Sequence, residues 1–253
     1  MKIAVITGAS SGMGREFVYE LDKAEAFDEL WVIARRRERL EALQQNVRAK
    51  IRALPLDLTD PKSIDAYKAL LEREKPDVAV LVNASGFGKF CRFGDVPLEE
   101  YYAMIDLNDK ALVGMTYVTL PHMQSGARIY QLVSQSSFQP VPYINIYGAT
   151  KAFALSFSRA LNVELRARGI RSMAVCPGWV GTEFFDRAVS DDTVSFFNKI
   201  YGPNEVVRTA LRDMARGRDV SVHGLFVKFQ RAGSKLLPHR LIMRVWLRQQ
   251  HKR

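Results

Sequence analysis

The sequence has very few cysteines, and the two present show no sign of a metal site or a disulfide framework. Cys91 and Cys176 lie far apart, with no CxxC pair and no histidines at metal-ligand spacing. Structural zinc sites and disulfide-stabilised secreted domains need more ligands or more cysteines than this. The scarcity argues against both classes, and we expect no bound metal, reduced thiols and a cytoplasmic location.

Long hydrophobic runs are also absent. No stretch approaches the roughly 20 apolar residues that a membrane-spanning helix needs. Met1 leads straight into a short apolar run at residues 3–6, which has neither the length nor the cleavage region of a secretory signal peptide. We therefore expect a protein that is neither secreted nor membrane-spanning.

Acidic residues are missing from the C-terminal part of the chain. The formal net charge is +10, and no Asp or Glu follows Asp219. A basic balance suggests nucleic acid, an anionic membrane surface or an anionic ligand as partners. Because no aromatic-basic recognition motif accompanies the charge, we predict no nucleic-acid partner. The basic residues of this tail are Lys228, Arg231, Lys235, Arg240, Arg244, Arg248, Lys252 and Arg253.

Short apolar runs alternate with helical patterns along the chain. Hydrophobic residues make up 47% of the 253 residues and charged residues 25%, which is ordinary globular usage, so we expect one domain over residues 1–253. Strands that are apolar on both faces and separated by helices predict an α/β fold: a Rossmann-like, doubly wound three-layer sandwich around a central parallel β-sheet. The predicted strands cover residues 3–7, 30–34, 51–54, 78–83, 129–133 and 172–176.

A glycine-rich turn joins the first predicted strand to the first helix. Gly8 permits the tight turn, Gly12 allows close approach of a pyrophosphate, and Gly14 lets the helix pack on the strand. The helix N-terminus adds roughly half a positive charge. A turn that binds nothing is the alternative, but its position after a strand and before a helix favours a nucleotide. The predicted contacts are Gly8, Ser10, Ser11, Gly12, Met13 and Gly14.

The second strand is followed by three arginines at residues 35–37, with no acidic residue before Glu38. NAD-preferring enzymes place an acid here to hold the ribose 2′-hydroxyl, whereas an arginine binds the 2′-phosphate of NADP. A solvated helix start is the alternative, although cations at a helix N-terminus are disfavoured by the dipole. We therefore predict NADP(H) as the cofactor, with Arg35 as a contact.

Further candidates follow the third and fourth strands. Asp57 has two open interpretations, since it would accept from the adenine amino group or help start the next helix. Asn83 ends the fourth strand, and Gly86 and Gly88 leave room beside it. The predicted cofactor contacts from these turns are Asp57, Leu58, Asn83 and Ala84.

Tyr147 and Lys151 lie four residues apart on a predicted helix, so phenol and ammonium share one face. A free phenol has a pKa near 10, and proton transfer at neutral pH requires a shift of roughly three units, about 4 kcal/mol. A pair that meets by chance is the alternative. Ser134, at the end of the fifth strand, would point into the same crevice, although Ser136 and Ser137 are close by.

Together these motifs resemble the short-chain dehydrogenase/reductase family over about residues 1–185. The matching motifs are the turn at 7–14, the segment 83–86, Asn108, Ser134, Tyr147 with Lys151, and residues 177–178. The segment 83–86 reads NASG where the family has NNAG, and Val133 replaces the first Ser of the usual Ser pair. Neither departure removes a catalytic group.

The resemblance implies a role for each matching residue. Tyr147 would act as general acid/base, and Lys151 would lower its pKa and hold the nicotinamide ribose. Ser134 would orient the carbonyl, and Asn108 would seat a water that links Lys151 to solvent. Thr182 would meet the nicotinamide carboxamide. The remaining implied cofactor contacts are Pro177, Gly178 and Val180.

The resemblance also implies an activity, which is hydride transfer between NADP(H) and a small-molecule carbonyl or secondary alcohol. It further implies a homodimer or homotetramer that would form through the Tyr147 helix and a helix at 97–123.

Residues 178–203 are predicted to form a substrate lid over an apolar pocket. A basic amphipathic helix at 236–250 would dock on protein or lie on an anionic membrane surface. A non-catalytic NADP-binding regulator or scaffold on the same fold is the alternative function. The lid aromatics are Trp179, Phe184, Phe185, Phe196, Phe197 and Tyr201.

Overall fold

The computed structural model describes residues 1–189 and 191–251. Ser190 of the predicted lid, and Lys252 and Arg253 of the basic tail, lie outside the described residues. The main feature is a seven-stranded parallel sheet in the order β3-β2-β1-β4-β5-β6-β9. Its strands are β1 Lys2–Thr7, β2 Glu29–Ile33, β3 Lys50–Leu54, β4 Asp77–Asn83, β5 Arg128–Leu132, β6 Arg171–Val175 and β9 Val220–Ser221. A small second sheet pairs β7 Trp179–Val180 with β8 Ile200–Tyr201.

Helices connect the strands and cover both faces of the sheet. The bounds are α1 Gly12–Ala24, α2 Arg37–Glu41, α3 Pro61–Glu74, α4 Leu98–Ile105, α5 Ala111–Thr119, α6 Asn145–Glu164, α7 Phe184–Ala188, α8 Pro203–Ala215, α9 Leu225–Leu236 and α10 His239–Gln249. A π-helical turn at Asp106–Lys110 joins α4 to α5. Among the described residues, no helix is long and apolar enough to cross a membrane.

The two faces of the sheet each have their own core, because side chains alternate along a strand. Ala4 and Ile6 of β1 pack with α1 and α8, whereas Ile3 and Val5 pack with α3, α5 and α6. This arrangement confirms the predicted three-layer α/β fold. The two-residue strand β9 is too short to give a sequence signal and was not predicted.

Strand order reverses between β1 and β4, since β1 continues to β2 on one side and β4 continues to β5 on the other. Ligands of doubly wound sheets bind beyond the carboxyl ends of the strands at such a point. The turns after β1 and β4 meet here, because Thr7 Oγ1 accepts the backbone N–H groups of Ala84 and Ser85, each at 3.0 Å. The fold therefore places the predicted site residues at one edge of the sheet.

Candidate active site

A cleft of about 480 Å³ lies at this edge, a size typical of cofactor and small-molecule sites. One end is formed by the turns after β1, β2 and β3, and we call it the nucleotide end. The other end is formed by α6, the turn after β5 and the segment from β7 to α7, and we call it the substrate end. Predicted site residues that line the cleft are Gly8, Ser10, Ser11, Gly12, Met13, Gly14, Arg35, Asp57, Leu58, Ala84, Ser134, Tyr147, Lys151, Pro177, Gly178, Val180 and Thr182.

At two positions of the turn after β1, Gly8 and Gly14, the neighbouring backbone is too close for any residue other than glycine. A Cβ on Gly14 would lie 2.3 Å from the backbone oxygen of Gly8, and a Cβ on Gly8 would lie 2.7 Å from that of Ala84. Gly8 also has a φ of +66°, in the left-handed region that favours glycine. The first turn of α1 contains no acidic residue, and its N-cap Ser11 makes no side-chain capping bond. Backbone N–H groups and the helix dipole at this turn suit a bound anion.

Arg36 is the arginine of the 35–37 run that reaches the glycine turn. It donates to Ser10 Oγ from Nε and Nη2 at 3.3 and 3.0 Å, and its Nη1 lies 2.9 Å from Glu183 Oε2. Arg39 pairs with the other oxygen of the same carboxylate. Hydrogen bonds from Arg39 and Arg36 hold the pKa of Glu183 below its ordinary value. Sequence reasoning placed a cation here, but nothing in the sequence indicated Glu183 as its partner.

Asp57 and Arg35 lie at the outer rim of the nucleotide end. Asp57 Oδ1 accepts from the backbone N–H and the hydroxyl of Thr59, and Oδ2 lies 3.9 Å from Arg35. Asp60, not Asp57, caps α3 by accepting from the N–H of Lys62. Asp57 is thus not the cap of α3, but it holds the turn at Thr59 that leads into this helix, as the second of its two interpretations expects.

Asn83 was predicted as a cofactor contact, but the structure turns its side chain away from the cleft. Its amide donates to Gln131 Oε1 at 2.9 Å and to Thr116 Oγ1 at 3.0 Å. These groups lie between the sheet and α5, so the amide fixes the end of β4 from behind. The strand-end position, from which we inferred a cofactor contact, does not determine which way the side chain points.

Tyr147 and Ser134 meet at the substrate end. The Tyr147 ring is 9% exposed and packs against the rings of Phe90 and Phe184, with centroids 6.0 and 5.4 Å away. Burial raises the pKa of the phenol to about 12, against a lowering effect of the nearby Ser134 hydroxyl. Desolvation by the aromatic rings disfavours the phenolate. A lowering of this pKa by Lys151 together with a bound oxidised nicotinamide stays a prediction.

Lys151 is buried beside Tyr147. Its Nζ donates to the backbone oxygen of Leu132 at 2.9 Å and lies 5.6 Å from the centroid of the Tyr147 ring. Burial lowers the pKa of Lys151 to about 8, against the raising effect of the Asp109 carboxylate and of Cys176. Burial also raises the pKa of Asp109 to about 7, and Lys151 opposes this shift. Asp109 does not line the cleft, but its charge acts on Lys151, and nothing in the sequence indicated this pairing.

Asn108 is buried in the π-helical turn, close to Lys151. A Cβ on Gly86 would lie 2.9 Å from Asn108 Oδ1 and 3.3 Å from Lys151 Nζ, so all three groups meet at one point. The amide accepts from the N–H of Phe87 and donates to the Phe87 carbonyl and to Thr150 Oγ1, each at 3.0 Å. Asn108 thus ties the segment after β4 to α6, and this side chain is engaged with protein groups.

Aromatic rings from distant parts of the chain form the wall of the substrate end. Trp179 contacts the rings of Phe90, Phe185, Phe197 and Trp246, with centroid separations between 5.0 and 6.4 Å. Of the predicted lid aromatics, Trp179, Phe184 and Phe185 line the cleft, whereas the others lie behind or outside it. Periodicity could not identify Phe90 or Trp246, because only the tertiary fold brings them to this wall.

The helix α10 holds the lid from outside. Gln250, which is 1% exposed, accepts the backbone N–H groups of Ser195 and Phe196 at 3.0 Å and donates to the Phe196 carbonyl at 3.1 Å. Trp246 Nε1 donates to the carbonyl of Pro142, in the loop that precedes α6. The inner face of α10 is therefore docked on its own chain, across the predicted lid.

The sequence matches the family model described as short chain dehydrogenase over residues 2–193. Among curated proteins, sulfoacetaldehyde reductase 2 of Chromohalobacter salexigens is 35% identical over 201 residues, or 75% of this chain and 79% of that protein. NADP-dependent 3-hydroxy acid dehydrogenase of Salmonella typhi is 34% identical over 194 residues, or 72% of this chain and 74% of that protein.

Among solved structures, this chain is similar to a short-chain dehydrogenase from Sphingobium yanoikuyae in complex with NADPH. The TM-score is 0.81 and the sequence identity 29%, with 96% of this chain and 95% of that chain covered. The similarity in fold thus extends past residue 193, where the family match ends.

Proposed function

Because the chain belongs to the short-chain dehydrogenase family, we propose that it transfers a hydride between NADP(H) and the carbon of a carbonyl or secondary alcohol. Tyr147 acts as the general acid and base in this proposal. The observation that carries it is the meeting of Tyr147, Lys151 and Ser134 in the same cleft as the glycine-rich turn. One elongated ligand can therefore contact both ends of the cleft.

The nucleotide end fits the phosphates of a dinucleotide. The close approaches of Gly8 and Gly14 leave backbone N–H groups uncovered by side chains, at an uncapped helix N-terminus. Arg36 and Arg39 both form ion pairs with one anionic group, the Glu183 carboxylate, beside Ser10. A ribose 2′-phosphate is a second anion that these guanidinium groups can bind, which supports NADP over NAD. The relative named as NADP-dependent and the neighbour solved with NADPH support the same choice.

Side chains of the protein orient the substrate oxygen and transfer a proton to it. When bound, NADP(H) supplies the hydride donor or acceptor. A phenol with a pKa of about 12 is protonated at neutral pH, so Tyr147 is in the form that donates a proton during reduction. Ser134, which lines the cleft together with Tyr147, orients the carbonyl oxygen. The buried Lys151 brings a positive charge next to the phenol and opposes its proton affinity when the reaction runs backwards.

Replacement of the phenol tests this proposal. We expect Tyr147→Phe to lower turnover by about 10²–10⁴-fold, the usual contribution of general acid catalysis, with NADPH binding nearly unchanged. NADPH oxidation with a panel of ketones, steroids, acyl thioesters and sugars measures turnover, and fluorescence titration measures binding. Tyr102→Phe, at a side chain that is 57% exposed, is the control. Full activity of Tyr147→Phe would contradict the assignment.

The aromatic wall supports an apolar substrate. Phe90, Trp179, Phe184 and Phe185 surround the approach to Tyr147 and offer rings rather than hydrogen-bonding groups. Burying such surface favours bulky apolar ketones by about 25 cal/mol per Å². A uniform preference for sugars and other polar carbonyl compounds in the panel would contradict this part of the proposal.

A second candidate substrate class is a carbonyl compound with an acidic group, and Arg187 is the observation that favours it. Arg187 lines the cleft, with its guanidinium carbon 3.4 Å from the centroid of the Phe87 ring, and burial lowers its pKa. Both named relatives carry the names of acidic compounds, a sulfonate and hydroxy acids. If Arg187 binds the substrate, Arg187→Leu raises KM for the acid. If it binds a cofactor phosphate, only KM for NADPH rises.

We also propose a homodimer through α5 and α6. Large apolar side chains project into solvent from these helices, namely Tyr117, Phe153 and Val163. Light scattering of the wild type and of Phe153→Glu tests the assignment. A dimer is expected for the wild type and a monomer for the variant, and an unchanged mass would place the contact elsewhere.

A further inference from the structure

The solvent-facing side of α9 is an apolar stripe formed by Leu225, Phe229, Ala232 and Leu236. Their spacing places all four on one side of a helix. The three large side chains are 73%, 75% and 82% exposed, respectively. A surface helix ordinarily packs such a stripe against the protein core. An apolar stripe that faces solvent instead indicates an interaction surface.

Basic residues border the stripe, and further basic residues are exposed on α10, which follows α9 in the chain. Lys228 and Lys235 lie next to it on α9. The exposed side of α10 carries Arg240, Arg244 and Arg248 alongside Leu241 and Val245. No acidic residue follows Asp219, so this pair of helices has no negative side chain of its own. We call the outward side of α9 and α10 the basic-apolar face.

The orientation of the basic-apolar face is fixed by contacts on the opposite side of both helices. Val227 is 2% exposed, and Gln230 accepts a hydrogen bond from Gln135, in the turn that follows Ser134. On α10, Trp246 and Gln250 make the contacts with Pro142 and the lid described above. Rotation of either helix to bury the stripe would break these contacts, so the apolar residues remain outward in the folded chain.

The positive charge of this face distinguishes between two candidate partners, a second copy of the chain and an anionic lipid surface. A second copy in a symmetric contact would bring another set of Lys and Arg side chains against the first, with no acid from either face to offset the repulsion. An anionic lipid surface supplies the opposite charge over the same area, and its interface accepts the Leu and Phe side chains. We propose that the basic-apolar face docks on the surface of an anionic lipid bilayer.

The position of this face bears on the proposed function. Its inner side adjoins the turn after Ser134 and the lid, so docking would present the substrate end of the cleft close to the bilayer. Docking itself does not depend on hydride transfer, and its measurement needs no active enzyme. Failure of one proposal is therefore distinguishable from failure of the other.

Co-sedimentation of the full chain with vesicles tests the proposal. We expect partition into phosphatidylcholine vesicles that contain phosphatidylglycerol, and little into phosphatidylcholine alone. Leu225→Ser with Phe229→Ser should weaken this partition by at least about tenfold. The matched control is Leu98→Ser with Phe93→Ser, which removes one exposed Leu and one exposed Phe from another surface and should change nothing.

The charge is tested separately. Lys228→Gln with Lys235→Gln should weaken partition by roughly fivefold per residue, whereas Lys62→Gln with Lys68→Gln on α3 should not. Circular dichroism of each variant checks that the fold is retained. Equal sedimentation with and without anionic lipid, or equal losses in test and control variants, would overturn the proposal. So would light scattering that shows a dimer lost only in the Leu225 and Phe229 variant, because the face would then belong to a second copy.

Discussion

At the nucleotide end, the cleft is built from backbone and short side chains in the turns after β1, β2 and β3. At the substrate end, it is lined by large rings from two separate stretches of chain, Phe90 and the segment with Trp179 and Phe184, and Trp246 from a third stretch packs against Trp179. The nucleotide end requires positions without a side chain, such as Gly14, where a Cβ would collide with the backbone. The substrate end requires large side chains that pack against one another.

This difference predicts different responses to substitution. At the nucleotide end, adding one methyl group should be damaging because the added atom meets backbone that cannot move. At the substrate end, removing a ring should be tolerated by the fold and should alter substrate binding, since the remaining rings can adjust around the gap. Four substitutions, given in order of decreasing expected effect, distinguish the two ends.

The largest effect is expected from Gly14→Ala. The new Cβ would lie 2.3 Å from the Gly8 oxygen, so the turn must shift, and we expect a stability loss of about 1–3 kcal/mol with loss of NADPH binding. Gly114→Ala is the matched control, because its Cβ would lie 3.6 Å from Ile64 in ordinary contact. A helical Gly→Ala change there should stabilise by about 0.5–1 kcal/mol. Chemical denaturation and NADPH titration measure both, and equal behaviour of the two variants would contradict the account.

Arg36→Leu should change cofactor preference without harming the fold. Loss of charge-assisted hydrogen bonds, worth about 1.5–3 kcal/mol, lowers kcat/KM for NADPH by roughly 10–100-fold and leaves the value for NADH nearly unchanged. Steady-state kinetics with both cofactors measures this, with the exposed Arg166→Leu as the control. Parallel losses for NADPH and NADH would mean that Arg36 does not bind the 2′-phosphate.

Trp246→Ala tests the substrate end. Loss of the ring that supports Trp179 should raise KM for a bulky ketone by about tenfold and leave KM for NADPH unchanged, because the described contacts of Trp246, with Trp179 and with Pro142 in the loop before α6, all lie at the substrate end. Val245→Ala, at the exposed neighbouring position, serves as the control. An increase in KM for NADPH of the same size would erase the distinction between the two ends.

Asp109→Asn should have the smallest effect, visible in the pH profile. The Asp109 carboxylate raises the pKa of Lys151, which lies near 8 in the wild type. Activity that needs the Lys151 ammonium is present below this pKa and is lost as pH rises through it. Removal of the carboxylate lowers the pKa, so the alkaline limb of kcat should move to lower pH.

Asp106→Asn is the control for this profile, since Asp106 pairs with the exposed Lys110 one turn away. An alkaline limb that stays in place, or moves to higher pH, in Asp109→Asn would show that the carboxylate does not act on Lys151.

The sequence predicted the fold and most of the nucleotide end because both depend on local pattern. Strand periodicity, the spacing of Gly8, Gly12 and Gly14, and the four-residue step from Tyr147 to Lys151 all act over short stretches of chain. Glu183, Asp109 and Trp246 were missed because their roles come from neighbours that are distant in sequence. For Asn83, the end of the strand was predicted correctly, but the direction of its side chain depends on Gln131, which is also distant in sequence.

A crystal structure of the NADPH complex would show whether one molecule of NADP(H) contacts both ends of the cleft, as we propose. We expect the 2′-phosphate beside Arg36, the pyrophosphate over the turn at residues 7–14, and the nicotinamide next to the Tyr147 hydroxyl. A cofactor bound elsewhere, or a nicotinamide separated from Tyr147 by the aromatic wall, would contradict it.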